Sequence, residues 1–227
     1  ACPLQTMGTL AQLCRAFEEF VEEYRRSTFK VALEYRREGQ IALARKYLRI
    51  CAMNDDQEAM FHLAVGYAEA GWGLKQNHST KKRWLEKLWK LNNTMAMAYY
   101  ALGLHTSNKS TDRFTASHIR HKLKGTTGCG YFEKGILCII DAGLDYRDFV
   151  PLLEKSAEEE DNEFAQTILA RHYIFDVGNV QDELKFIHFA LKAATKGNEA
   201  AQRMLRSRFK NHEDFSWFFS RSITYQR

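Results

Sequence analysis

The sequence predicts an all-α protein built as an α-solenoid, in which stacked helix-turn-helix units share one continuous core. Three observations carry that expectation. Amphipathic segments recur with the three-and-four spacing of a helix, and no run of alternating, β-branched residues suggests a strand. One anchor, an aliphatic residue beside a small one with a larger residue three positions on, returns at steps of 32, 37, 36, 33 and 36 residues. Finally, the 227 residues include only 2 prolines, with 45% apolar and 27% charged residues, which suits a soluble, helix-rich chain.

The elements follow in order. Residues 4–24 read as one helix with Leu10, Leu13, Phe17, Phe20 and Tyr24 on a face, so 1–26 is expected to cap the array. The array itself spans 27–210. Its anchors are Val31-Ala32 with Tyr35, Leu63-Ala64 with Tyr67, and Tyr100-Ala101 with Leu104, then Ile136 with Ile140, Leu169-Ala170 with Tyr173, and Leu205 with Phe209. Ala32, Ala64, Ala101 and Ala170 leave room for close helix approach, and the larger partners fill the gaps between units. Gly39, Gly71, Gly73, Gly143 and Gly178 stand where the chain leaves a helix and are expected at positive φ.

Each anchor helix is followed by a second amphipathic segment, at 40–53, 79–92, 110–124, 145–159 and 181–196. The second of these opens on Ser79 or Thr80 as cap and lines up Trp84, Leu85, Leu88 and Leu91. The last opens on Asp182, repeats Leu184, Ile187, Leu191 and Ala194, and stops at Gly197. Residues 211–227 form a C-terminal aromatic cap and tail, where Phe215, Trp217, Phe218 and Phe219 crowd one helix. They either seal the last unit or dock another subunit or partner.

The stretches "AMFHLAVGYAEAGWGLKQ" and "AQTILARHYIFDVGNVQDELKFIHFALKAATKGNEA" carry a pattern of roughly A-x3-L-[GA]-x2-Y-x3-G-x-G. This resembles the Sel-one-like repeat (SLR) family, a relative of the tetratricopeptide repeat, over about residues 27–210. The resemblance implies a right-handed α-solenoid of about five to six units. It also implies a non-enzymatic protein-interaction scaffold or adaptor with a concave groove lined by first helices. Groove positions carried over from the related pattern are Phe29, Leu33, Phe61, Val65, Ala98, Leu102, Lys134, Cys138, Thr167 and Arg171. One helical turn further lie Arg36, His105 and Ile174. Such a groove, part apolar and part basic, would favour an acidic-hydrophobic segment of another protein.

No convergent acid, base and nucleophile can be named, and no cofactor is expected. "GTTGCG" at 125–130 lacks the Lys-Ser/Thr of a phosphate loop. His118 and His121 share a helical side but lack further ligands for a metal. The five cysteines, with no Cys-x-x-Cys pair, read as mostly reduced thiols. No apolar stretch reaches the roughly 18–20 residues of a membrane span, and no secretory signal is visible, which points to the cytoplasm.

The net charge of +5 is unevenly placed: residues 75–124 hold eleven Lys/Arg against two acids. Solvated helix faces explain this simply. The sharper alternative is binding of nucleic acid or an acidic partner through Lys81, Lys82, Arg83, Arg113, Arg120, Lys122 and Lys124. A structural subunit of a larger assembly is a further alternative.

Overall fold

A left-handed residue followed by a polar cap opens one helix after another. The computed structural model describes residues 28–107, 109–142, 146–175 and 180–209. In it, Asp55, Asn92, Asp161 and Gly197 take φ of 62°, 58°, 49° and 85°. The next residue in each case is Asp or Asn, and its side chain accepts the amide of an alanine three positions on. Asp56 and Asn93 accept from Ala59 and Ala96 at 2.9 Å, Asn162 from Ala165 at 3.1 Å, and Asn198 from Ala201 at 3.0 Å. Gly128, at φ 93°, takes the same place ahead of Cys129. These left-handed positions are spaced by 37, 36, 33 and 36 residues, the spacing of the last five anchors. Seven residues beyond the cap positions lie Leu63, Tyr100, Ile136, Leu169 and Leu205, all buried. The recurrence is therefore structural as well as textual: turn, cap and core anchor repeat as one block.

Among the described residues the chain is helical, with no strand. A first helix, α1, covers 28–37. It is followed by α2 (Ile41–Met53), α3 (Gln57–Glu69), α4 (His78–Lys90), α5 (Thr94–His105) and α6 (Ser110–Lys124). Then come α7 (Tyr131–Ala142), α8 (Tyr146–Glu158), α9 (Glu163–Phe175), α10 (Val180–Thr195) and α11 (Glu199–Arg208). The second segments read from the sequence match α2, α4, α6, α8 and α10 to within one or two residues. Neighbours pair as α3 with α4, α5 with α6, α7 with α8, and α9 with α10, while α5 packs on α7 and α9 on α11. Ala32, Ala64, Ala101 and Ala170 are fully buried where helices approach.

Several local expectations shift. Asn77, not Ser79 or Thr80, caps α4, accepting from the Thr80 amide at 2.9 Å. Leu91 ends that helix as its exposed C-cap instead of joining the core. α10 opens at Val180, and its buried residues are Phe186, Phe189, Ala190, Ala193 and the expected Ala194; Ile187 and Leu191 pack half-buried against the core, and Leu184 is exposed. The two phenylalanines bury more surface than Leu184 and set the helix's rotation. Gly39 and Gly73 have positive φ as expected, at 76° and 61°. Gly71 does not; Ala70 and Trp72 carry the positive φ beside it. Gly71 is small for another reason, since an added Cβ would stand 3.1 Å from a Glu199 carboxylate oxygen. Gly143, Gly178, the 4–24 helix and the 211–227 segment with Phe215, Trp217, Phe218 and Phe219 lie outside the described residues.

The array closes on its inner side. Arg36 of α1 reaches Glu163 of α9 through both carboxylate oxygens, at 3.0 and 3.1 Å, and Glu199 of α11 at 3.1 Å. The Arg36 guanidinium lies 4.4 Å over the Trp72 ring, and Glu199 also accepts the Trp72 amide. Phe61 of α3 sets its ring 4.7 Å from Phe164 of α9 and 5.6 Å from Tyr99 of α5. Arg171 of α9 pairs with Glu69 of α3 at 3.1 Å, and Arg203 of α11 donates to the Glu69 carbonyl. Partners more than a hundred positions apart thus share one interface.

The cap block is testable in isolation. Asn93→Ala removes the side chain that satisfies the Ala96 amide and is expected to cost about 1 kcal/mol. Urea denaturation followed by circular dichroism measures it, and an unshifted midpoint would show that the cap adds nothing.

Candidate functional site

Four of the first helices carry an acid in the opening turn, where the helix dipole stabilises negative charge: Glu58 in α3, Glu133 in α7, Glu163 in α9 and Glu199 in α11, whereas α5 carries none. Closure brings several of these helix starts to one place. They surround a chamber of about 660 Å3, within the usual size of a ligand site. Its walls come from Leu33 and Arg37 of α1, the first turns of α3, α5 and α9, Gly130 and Glu133 around the start of α7, and Lys196 after α10. Leu33, Phe61, Met95 and Phe164 supply its apolar surface.

The charge of the lining is decided by pairing. Asp161 is held by Lys196 at 2.6 Å, and Glu163 by Arg36. Glu58, Glu133 and Glu160 are left facing the chamber against the guanidinium of Arg37. Glu133 accepts from the Thr94 hydroxyl at 2.7 Å, and Glu160 from the Ser156 hydroxyl at 2.7 Å and the Tyr131 amide at 3.1 Å. Neutral donors fix these carboxylates in position without cancelling their charge. The chamber is apolar-walled and acidic.

Burial would raise the Glu163 carboxyl, but the charges of Arg36 and His62 and the Asn198 amide, at 2.8 Å, outweigh it and hold it below the usual carboxylate range. His62 lies among Phe29, Trp72 and Phe164, at ring distances of 5.3, 5.6 and 5.0 Å. Burial lowers its pKa to about 4; Glu163 pulls the other way and Arg36 reinforces the fall. The imidazole is neutral near pH 7, so it adds no charge to the chamber wall that it helps form.

Among the residues carried over to a concave groove, Phe29, Arg36, Phe61, Val65 and Ala98 are buried in helix packing, as is Thr167. Leu33, Leu102, His105, Cys138 and Ile174 are half-buried, while Lys134 and Arg171 are exposed. Leu33 and Phe61 meet at the chamber; Arg36 is committed to the ion pairs beside it. In the basic segment, Lys82, Arg83, Arg113, Lys122 and Lys124 are exposed and Lys81 and Arg120 half-buried. Arg120 and Lys124 both pair with Asp141, at 3.0 and 2.5 Å.

The chemistry for catalysis or metal binding is thin. Among the described residues no group of three His, Cys, Asp or Glu could hold a metal ion. Cys51, Cys129 and Cys138 are free thiols. Burial first, then nearby carboxylates, raises all three, which keeps them protonated and poorly nucleophilic near neutral pH. No helix of the described residues is long and apolar enough to cross a membrane.

The carboxylates Glu58, Glu133 and Glu160 were not singled out from the sequence. A signal existed for two of them, an acid in the first turn of an anchor helix. No known protein family, curated protein or solved structure matches the chain.

Proposed function

We propose that this protein is a non-enzymatic interaction module that receives a segment of a partner protein in the acidic chamber. The carrying observation is the lining: among the described residues, the carboxylates of Glu58, Glu133 and Glu160 face the guanidinium of Arg37, set among Leu33, Phe61, Met95 and Phe164. The matching ligand is a Lys or Arg side chain flanked by apolar residues. Its cation meets Glu58, Glu133 or Glu160, while its neighbours cover the aromatic wall. The charge of the chamber turns the expected partner from acidic-hydrophobic to basic-hydrophobic. The recurrent turn, cap and anchor block supports reading the chain as Sel-one-like repeats, whose resemblance implies scaffolding rather than catalysis.

Glu58→Lys tests the assignment, because Glu58 faces solvent and the chamber and closes no ion pair among the described residues. Fluorescence anisotropy with peptides pairing Lys or Arg with Leu and Phe, and charge-inverted controls, reads the effect. The native protein should prefer the basic peptides, and Glu58→Lys should weaken them about tenfold or more, as expected when a like charge meets a buried cation. Equal affinity for acidic and basic peptides, or no effect of the substitution, would sink this reading.

A further inference from the structure

The second helices α4 and α6 present an outer layer that the chamber does not use. Exposed side chains there include Lys82, Arg83, Lys87 and Lys90 on α4, and Arg113, Phe114, Lys122 and Lys124 on α6. The acids of these two helices, Glu86 and Asp112, are half-buried and engaged, Glu86 by Lys82 and Asp112 by the Ser107 hydroxyl. Asp55 takes Lys87, and Asp141 takes Arg120 and Lys124. Among the described residues, Arg83, Lys90, Arg113 and Lys122 then have no carboxylate partner, and Lys81 beside them has none either. Lys122 donates to the Asn92 amide oxygen, which ties the end of α6 to the turn after α4.

Within this basic field stands an aromatic row. Phe114 is 80% exposed, the most exposed large apolar side chain of those described. One helical turn on, His118 lies on the same side of α6, and its ring is 6.1 Å from that of Trp89 on α4. A phenylalanine so exposed, next in sequence to Arg113, is poorly explained by packing, since no described residue covers it.

We propose that this α4–α6 face binds single-stranded nucleic acid. Its uncompensated cations would neutralise successive phosphates, and Phe114 would stack on an unpaired base. Two features favour nucleic acid over an acidic protein segment. The layer is rich in lysine, a residue depleted at protein interfaces because its ammonium is strongly hydrated. Phosphate contacts leave that ammonium partly in water, so the same residue is well suited to a polyanion backbone. An exposed ring also requires a free base face, which a duplex hides within its stack.

The test uses labelled oligo-dT and oligo-U of about 15 nucleotides, titrated by anisotropy between 50 and 300 mM salt, with roughly that range chosen to resolve a counterion slope. Three to four phosphate contacts predict a log–log slope of about −2 to −3. Phe114→Ala, which removes an exposed ring and leaves the core intact, should weaken binding about tenfold while keeping that slope. Lys90→Glu with Arg113→Glu should flatten the slope and abolish binding near 150 mM salt, taken as roughly physiological. No binding at 50 mM salt, an unaffected Phe114→Ala protein, or equal competition by polyglutamate would each overturn the proposal. The last outcome would assign the face to an acidic protein partner instead.

Discussion

Arg36→Ala is expected to lower folding stability by about 3–5 kcal/mol, the largest effect of any single substitution considered in this protein. The side chain is only 4% exposed, and its two carboxylate partners come from α9 and α11, at sequence separations of 127 and 163 residues. Truncation leaves Glu163 buried without its counter-charge and strips the cation from the face of Trp72. Among the described residues the Arg36 Nε–H has no partner, so the native arrangement carries one desolvation cost of its own. That feature predicts which replacement does least harm. Arg36→Met combined with Glu163→Gln removes both charges, keeps an acceptor for the Asn198 amide, and should cost clearly less than Arg36→Ala alone. Arg36→Lys should rescue only part of the loss, because an ammonium cannot span Glu163 and Glu199 as a planar fork does. Urea unfolding of the three variants decides the matter. A loss below about 1 kcal/mol for Arg36→Ala would mean that α1 is not held to α9 and α11 by this contact.

The same contact shows where the sequence stops being readable. The helix pairs were legible because each is coded locally: a cap, a small residue beside a leucine-like anchor, and a larger residue near the helix exit. Those marks recur within a single unit, so spacing alone recovers α2 to α11. The rotation of α10 was less legible, because Leu184, Phe186, Ile187 and Phe189 offer two overlapping apolar stripes and only the neighbouring α9 selects between them. Closure was not legible at all. Arg36, Glu163 and Glu199 belong to three separate units, and no period near 36 residues states how sharply successive units turn. The chamber inherits that gap. Its acids are written in the first turns, but their convergence depends on curvature accumulated over the whole array. A charge expectation built on an open groove therefore pointed to acidic partners, whereas the closed interior gathers carboxylates.

Acidification from pH 7 to 4.5 is expected to weaken folding by about 2 kcal/mol through His62 alone. The sign follows from burial. In the unfolded chain this imidazole titrates near 6.5, and in the folded protein it falls to about 4. Below pH 6.5 the unfolded chain therefore takes up a proton that the folded protein refuses, and stability declines until the pH nears 4. Glu163 acts in a lower window: its carboxyl lies below the usual range, so its contribution is full above about 4.5 and is lost only beneath that. The interval between pH 6.5 and 4.5 thus isolates the histidine from its carboxylate neighbour. His62→Phe should leave stability at pH 7 within about 1.5 kcal/mol of native, since Phe29, Trp72 and Phe164 already form an aromatic nest of the right size. The variant should also lose most of the decline on acidification, because Phe cannot bind the proton. Parallel pH dependences for the native protein and His62→Phe would show that His62 titrates normally and that its surroundings are wetter than the packing indicates. The chamber offers a second readout. Burial and the neighbouring Asp56 hold the Glu58 carboxyl above the usual carboxylate range, so it loses charge early on acidification and a basic peptide should bind more weakly at pH 4.5 than at pH 7. His62, with its pKa at about 4, is still mostly neutral at pH 4.5, so His62→Phe should leave that difference largely in place.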